Sequence, residues 1–198
     1  DIINHYLSGN QVGGNSFWKV LNMLNTKYII HMQKDNKPGV MVNPDAFGNA
    51  WIVSNIDWVT TPNEEIAAIE NTNVKTTAIV NEEFKNVVGD FNPSVSKGTI
   101  QLASYKPNEL IYNFNSSKDE LVVFSEIWTS KGWTMWIDGN ETPLIRADYI
   151  LRAAVVPAGN HEIMMRYEPK IWKVGNTIQF VSSLILILGL LAAIFVTY

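Results

Sequence analysis

Four side chains near the middle of the chain have the types and spacing of a sugar-contacting site. Glu126, Trp128, Trp133 and Arg146 flank two strong turn signals, Thr129-Ser130-Lys131-Gly132 and Asp138-Gly139. An indole plane stacks on the apolar C–H face of a sugar, and a carboxylate and a guanidinium beside it orient the hydroxyls. Any single one of the seven tryptophans, Trp18, Trp51, Trp58, Trp128, Trp133, Trp136 and Trp172, more often packs a core than a ligand. Glu126 and Arg146 together could be a buried ion pair that pins strand register.

Other chemistry finds little support. Glu126 and Asp138 could be the paired carboxylates of a glycosidase, but Asp138 belongs to a hairpin turn, where Asp serves the backbone. His5, His31 and His161 have no metal-ligand spacing, and His161, just after a turn, reads as solvated. No G-x-S-x-G elbow and no phosphate-binding glycine loop occurs. Cysteine is absent, which excludes disulfides, thiol nucleophiles and thiolate metal sites. No catalytic residue, metal site or cofactor is expected. With a net charge of −4 and no basic patch, a nucleic-acid partner is not expected either.

The elements that would position the four residues are short strands. Val122–Trp128 and Trp133–Ile137 are β-branched and aromatic, and a four-residue loop between them predicts a hairpin with Trp128 opposite Trp133 and Glu126 opposite Met135. Asp-Gly predicts a second hairpin, because both central residues of a type I′ turn need φ > 0. A loop of even length then brings Leu144 and Arg146 to the face of Glu126, Trp128 and Trp133, since side chains alternate with period two. Further on, Pro157-Ala158-Gly159 predicts a hairpin of Leu151–Val156 with His161–Tyr167. That pairing puts Leu151, Ala153, Val155, Ile163, Met165 and Tyr167 on one face and Arg152, Glu162 and Arg166 on the other. Both faces of the 121–137 stretch are largely apolar, so this sheet must be covered on both sides.

The rest of the chain follows the same style. Residues 1–15 read as loop, and Ser16 caps a short helix with Phe17, Val20, Leu21 and Leu24 on its apolar face. Lys27–Met32 and Val40–Val42 are paired strands, and a strand runs from the Asn43–Val53 segment to about Val59. Thr61-Pro62-Asn63-Glu64-Glu65 opens a helix that ends near Asn71. Thr76–Val80 is a strand, 81–97 a polar loop, and Thr99–Tyr105 pairs with Glu109–Asn115 through Lys106-Pro107-Asn108. Eight to ten hairpin-linked strands with two short helices indicate a mainly β protein, an antiparallel β-sandwich or jelly roll.

The C-terminus is different. From Val174 to Tyr198 no residue is charged, and Ile178–Tyr198 spans about 30 Å as a helix, one bilayer core. Trp172 and Tyr198 bracket it as interfacial aromatics do. The chain thus divides into a β-sandwich-like domain over 1–170 and a transmembrane helix over 174–198. It opens on Asp1 rather than Met and reads as a fragment or a mature form. Arg166, Lys170 and Lys173 before the span favour, by charge alone, a cytoplasmic domain.

LNMLNTKYII, NPDAFGNAWIV, FSEIWTSKGWTMWIDG and IRADYILRAAVVPAGNHEIMMRYEP, followed by a terminal membrane helix, together resemble the C-terminal part of YfhO-family bacterial membrane proteins. The resemblance runs from about Leu21 to the tail. It implies a large multi-spanning protein similar to GT-C glycosyltransferases, which use polyprenyl-phosphate-linked sugars outside the membrane to glycosylate cell-surface polymers. It also implies an extracytoplasmic position, against the charge pattern. The partners to expect are membrane lipid, an upstream transmembrane domain of the same protein, a lipid-linked sugar donor and an acceptor glycan. The acidic catalytic loop of such enzymes is not in this chain, so no catalytic residue carries over. The alternative is a membrane-anchored structural, interaction or carbohydrate-binding domain without catalysis.

Overall fold

The computed structural model describes residues 15–32, 36–95 and 97–197. Among them thirteen strands and four α-helices follow in order. Strands β1 (Tyr28–Met32) and β2 (Pro38–Val42) form a separate two-stranded hairpin, as expected. The other eleven build two sheets.

The six-stranded sheet takes the order β3-β8-β12-β11-β5-β4. Its members are β3 (Ala50–Val53), β4 (Asn55–Val59), β5 (Thr77–Asn81), β8 (Glu120–Ile127), β11 (Ile145–Ala147) and β12 (Leu151–Val156). The five-stranded sheet takes the order β10-β9-β13-β7-β6. It holds β6 (Thr99–Lys106), β7 (Glu109–Ser116), β9 (Trp133–Ile137), β10 (Asn140–Thr142) and β13 (Gly159–Tyr167). Val122, Phe124, Ala154 and Val156 of the first sheet meet Leu110, Tyr112, Met135, Ile163 and Met165 of the second in one buried layer.

The alternate residues Leu121, Val123, Leu151 and Ala153 are buried on the other face of β8 and β12. They pack in one cluster with Val20 and Met23 of α1 (Asn15–Met23), Ile69 of α2 (Pro62–Asn71) and Val88 of α3 (Lys85–Val88). The expected two-sided cover is therefore a sheet on one side and helices on the other. The domain is a β-sandwich with helical decoration.

Local signals formed as their chemistry requires. Thr61 caps α2 in a full capping box with Glu64, and Pro62 sits in the first turn. Asp138 and Gly139 have φ of 50° and 81°, and Ile137 pairs with Asn140 across them, the expected I′ hairpin. Lys106 pairs with Glu109 across Pro107-Asn108.

Four expectations need correction. First, β8 and β9 are not a hairpin: β8 pairs with β3 and β12, and β9 with β10 and β13. Residues 128–132 form an arch from one sheet to the other, so Trp128 is not opposite Trp133 and Glu126 is not opposite Met135. Second, β12 and β13 also lie in different sheets. Leu151 and Ala153 face the helices, whereas Ile163, Met165 and Arg152 do not share that face. The cause is common to both. Strands apolar on both faces accept either neighbour, and a short loop closes a hairpin or crosses to a second sheet equally well. Third, the strand expected up to Val59 breaks at Ser54. Only this residue separates β3 from β4, which occupy opposite edges of their sheet, so the sheet curls until its edges meet. Fourth, β4 and β5 are parallel neighbours joined through α2, one helical crossover within an otherwise antiparallel arrangement. The polar loop expected at 81–97 also contains a 3-10 turn at Glu82–Phe84 and α3, too short to show a period.

After β13 only Glu168-Pro169 precedes α4 (Lys170–Thr197). Within α4, Val174–Phe195 is long and apolar enough to cross a membrane, with a mean hydropathy of 2.5 and none of its window buried.

Gly132 closes the arch at φ 95°, and a Cβ there would lie 2.4 Å from the Tyr167 ring. Gly139 has a similar φ of 81° but open space around it. Gly132→Ala is therefore expected to destabilise by about 1–3 kcal/mol, and by more than Gly139→Ala, in thermal unfolding. Equal losses would mean that Tyr167 does not pack on the arch as described.

Candidate functional site

The 128–132 arch carries Trp128 at one end and Trp133 at the other, and each indole meets an arginine. The Arg152 guanidinium lies over the Trp133 ring at 4.0 Å from its centroid, and Arg146 lies over Trp128 at 5.8 Å. Arg146 and Arg152 are direct partners across the β11–β12 ladder. Two like charges opposite each other are unfavourable unless each has its own compensation. Here each turns to a different set of groups.

Arg146 bonds to Glu65 Oε1 at 2.8 Å and approaches Glu83 Oε1 at 3.5 Å. The Glu65 side chain is 1% exposed and that of Arg146 21%, so this is a largely buried ion pair. The register-pinning pair foreseen for Arg146 thus exists, but its partner is Glu65 of α2, not Glu126. Sequence reading missed Glu65 because the contact spans 81 positions and no periodicity reports it.

Arg152 is 3% exposed. Among the described residues it makes no ion pair within 4 Å; NH1 touches only the Met165 sulfur, and Nε has no partner. Burial lowers its pKa from the usual arginine value, with Glu126 and Tyr112 pulling the other way. Glu126, half-buried, is held above the usual carboxylate range by desolvation, partly relieved by Arg152. The Tyr112 hydroxyl is buried without a partner, and its pKa is raised by burial first and by Glu126 second. The β8–β12 register explains Glu126: Leu151 pairs with Ile127 but Arg152 with Phe124, so Ser125 and Glu126 form a bulge. Bulges re-aim side chains and break strict alternation.

The arrangement thus gathers Glu126, Trp128, Trp133 and Arg146 at one end of the sandwich but not on one sheet face. Arg152, grouped by the sequence pattern with Glu162 and Arg166, is the added member. Trp128 and Trp133 are both half-buried, so each keeps some ring surface accessible. Trp133 in turn packs on Tyr167 with ring centroids 5.5 Å apart and the rings tilted at 52°, and Tyr167 directly precedes the two-residue linker to α4. His161, expected to be solvated, is instead tucked against Phe114 and bonded to Asp138 at 2.6 Å, which raises its pKa. Asp138 accordingly serves its turn and His161, and does not approach Glu126 as a catalytic pair would.

The model of a bacterial membrane protein family, described as "Bacterial membrane protein YfhO", matches residues 65–179, more than half of the chain. The chain belongs to the YfhO family. No curated protein and no solved structure matches it. The match takes in the arch, both Trp–Arg stacks, Glu65 and the root of α4, so the candidate site lies within the segment characteristic of YfhO proteins.

Two outcomes are expected from this site. Arg146→Ala leaves Glu65 buried without its cation and should cost about 3–5 kcal/mol. The second concerns Asp148, which is fully buried in the β11–β12 turn and accepts from the Ile79 N–H at 2.9 Å. Burial pushes its pKa up to about 7 from 3.8, with Glu65 adding to the rise. Between these values the folded state keeps a proton that the unfolded state releases, so stability falls as pH rises from about 4 to 7 and levels off above. Asp148→Asn should flatten that decline in unfolding measurements across pH; an unchanged slope would assign it to other groups.

Proposed function

We propose that this chain is an extracytoplasmic, membrane-anchored accessory domain of a polytopic glycosyltransferase that acts on cell-surface glycans with lipid-linked sugar donors. The observation that carries the reading is the position of the paired Trp–Arg stacks at the strand ends that lead into α4. Trp133 pairs with Tyr167, and only Glu168-Pro169 intervene before the helix. The phosphate and first sugar of a lipid-linked donor lie at the same level, just above the hydrocarbon. An indole supplies a stacking plane for the sugar, and a guanidinium without a fixed anion supplies charge for a phosphate. The chemistry itself belongs to the upstream membrane domain; this chain orients donor or acceptor. The positive residues before α4 are a weak counterargument, since Arg166 belongs to β13 and is bound to Glu109 at 2.6 Å.

The near-complete burial of Arg152 favours a second reading, in which the cluster only stiffens the root of the membrane helix. The two separate cleanly. Trp133→Ala in the full-length protein also removes packing on Arg152 and Tyr167 and lowers the melting temperature, but it should reduce sugar transfer per folded molecule about ten-fold, equivalent to a stacking contact of ~1.4 kcal/mol. Activity lost only in proportion to stability would leave the structural reading. For sidedness, protease added to intact spheroplasts should remove the domain; complete protection would place it in the cytoplasm.

A further inference from the structure

An exposed apolar surface lies on the β1–β2 hairpin. Tyr28, Ile30, Met32, Val40 and Val42 are 63–74% exposed. The register pairs Tyr28 with Val42, Ile30 with Val40 and Met32 with Pro38, so these side chains share one face. None of the described residues on that face is charged. A two-stranded hairpin with no covering layer is marginal in water, and contiguous apolar patches of this kind mark interaction surfaces.

The hairpin springs from the same end of the sandwich as α4. β8 ends there at Ile127, β9 starts there at Trp133, and β13 finishes there at Tyr167. β3 begins at the same end, with Ala50 opposite Phe124. Ser125 Oγ lies 2.9 Å from the Met23 carbonyl and 2.6 Å from that of Gly48, which ties both roots of the hairpin to this end. Exposed Ile127 and Lys131 lie at this end as well. Between Tyr167 and Val174 the chain has Glu168-Pro169 and about one helical turn, roughly 13 Å. Each hairpin strand is about 17 Å long, enough to close that distance.

We propose that the β1–β2 hairpin is a second membrane contact, with its Tyr28/Ile30/Val40/Val42 face seated in the lipid interface beside α4. The occupant is lipid rather than a protein groove because the face is uniformly apolar and sits at the end tethered to the bilayer. The unpaired backbone groups on the hairpin's two edges set the depth. They need water or headgroup oxygens, so the hairpin lies at the acyl–headgroup boundary and does not span. This inference needs α4 in the bilayer but is independent of any sugar chemistry.

The absence of cysteine allows single labels. The chain is reconstituted in phosphatidylethanolamine–phosphatidylglycerol vesicles with a nitroxide at Ile30→Cys, Val42→Cys, Met41→Cys, Ser117→Cys or Leu184→Cys. Collisions with oxygen report lipid, and collisions with a water-soluble nickel chelate report water. Ile30 and Val42 labels should favour oxygen, at a depth shallower than Leu184, while Met41 on the opposite face and Ser117 at the far end of the sandwich favour nickel. Ile30 and Val42 labels as open to nickel as Ser117 would overturn the proposal. Shielding of both from either reagent would overturn it in favour of a protein partner. A nickel-accessible Leu184 label would remove α4 from the bilayer and the proposal with it.

Discussion

Everything in this domain depends on the two-sided burial of β8 and β12. Leu121, Val122, Val123 and Phe124 are all fully buried, as are Leu151 and Ala153, so neither face of the central pair tolerates water. At about 25 cal/mol per Å² of apolar surface, an uncovered face would forfeit more than a domain's net stability. One face must therefore receive a second sheet and the other a helical cover. Short arches between sheets, the curl that brings β3 and β4 together at Ser54, and the burial of Glu65 on the inner face of α2 all follow from that demand.

The same constraint explains the charged residues near the arch. Burying both faces leaves little room for water at the strand ends, yet Arg146, Arg152, Glu126 and Asp148 are all drawn partly or wholly inside. Arg146 is compensated by Glu65 and Glu83. Arg152 has an indole, a thioether and a desolvated carboxylate instead of an ion pair. A cation held this way costs more than it returns in stability, and such local conflicts concentrate at sites kept for binding or for specificity.

Where backbone chemistry is local, the sequence was legible. Asp138-Gly139, Pro107-Asn108, Thr61 with Glu64, and the uncharged run after Val174 each specify one conformation, and each formed. The fold class followed from the density of strands and turns. Strand partnership was not legible at the arches, because Thr129–Gly132 and Pro157–Gly159 satisfy a hairpin and a crossover alike. The four candidate residues do come to one end of the sandwich, but a bulge at Ser125–Glu126 breaks the alternation on which their common face rests. Parity puts Arg152 on the face opposite Leu151 and Ala153, and the second sheet then covers that face and buries it. The exposed hairpin is invisible to pattern, since Tyr28–Met32 reads like any strand until nothing is found to cover it.

Of the strands in the five-stranded sheet, β13 is the one that continues towards the membrane. It is also the central one, paired over eight residues with β7 and five with β9. Any component of a pull through Glu168-Pro169 that lies along this strand loads both ladders in shear. The hydrogen bonds then share the force and must fail nearly together, whereas an edge strand attached at a hairpin would peel open one bond at a time. The apolar helix is thus joined to a strand held on both sides rather than to an edge.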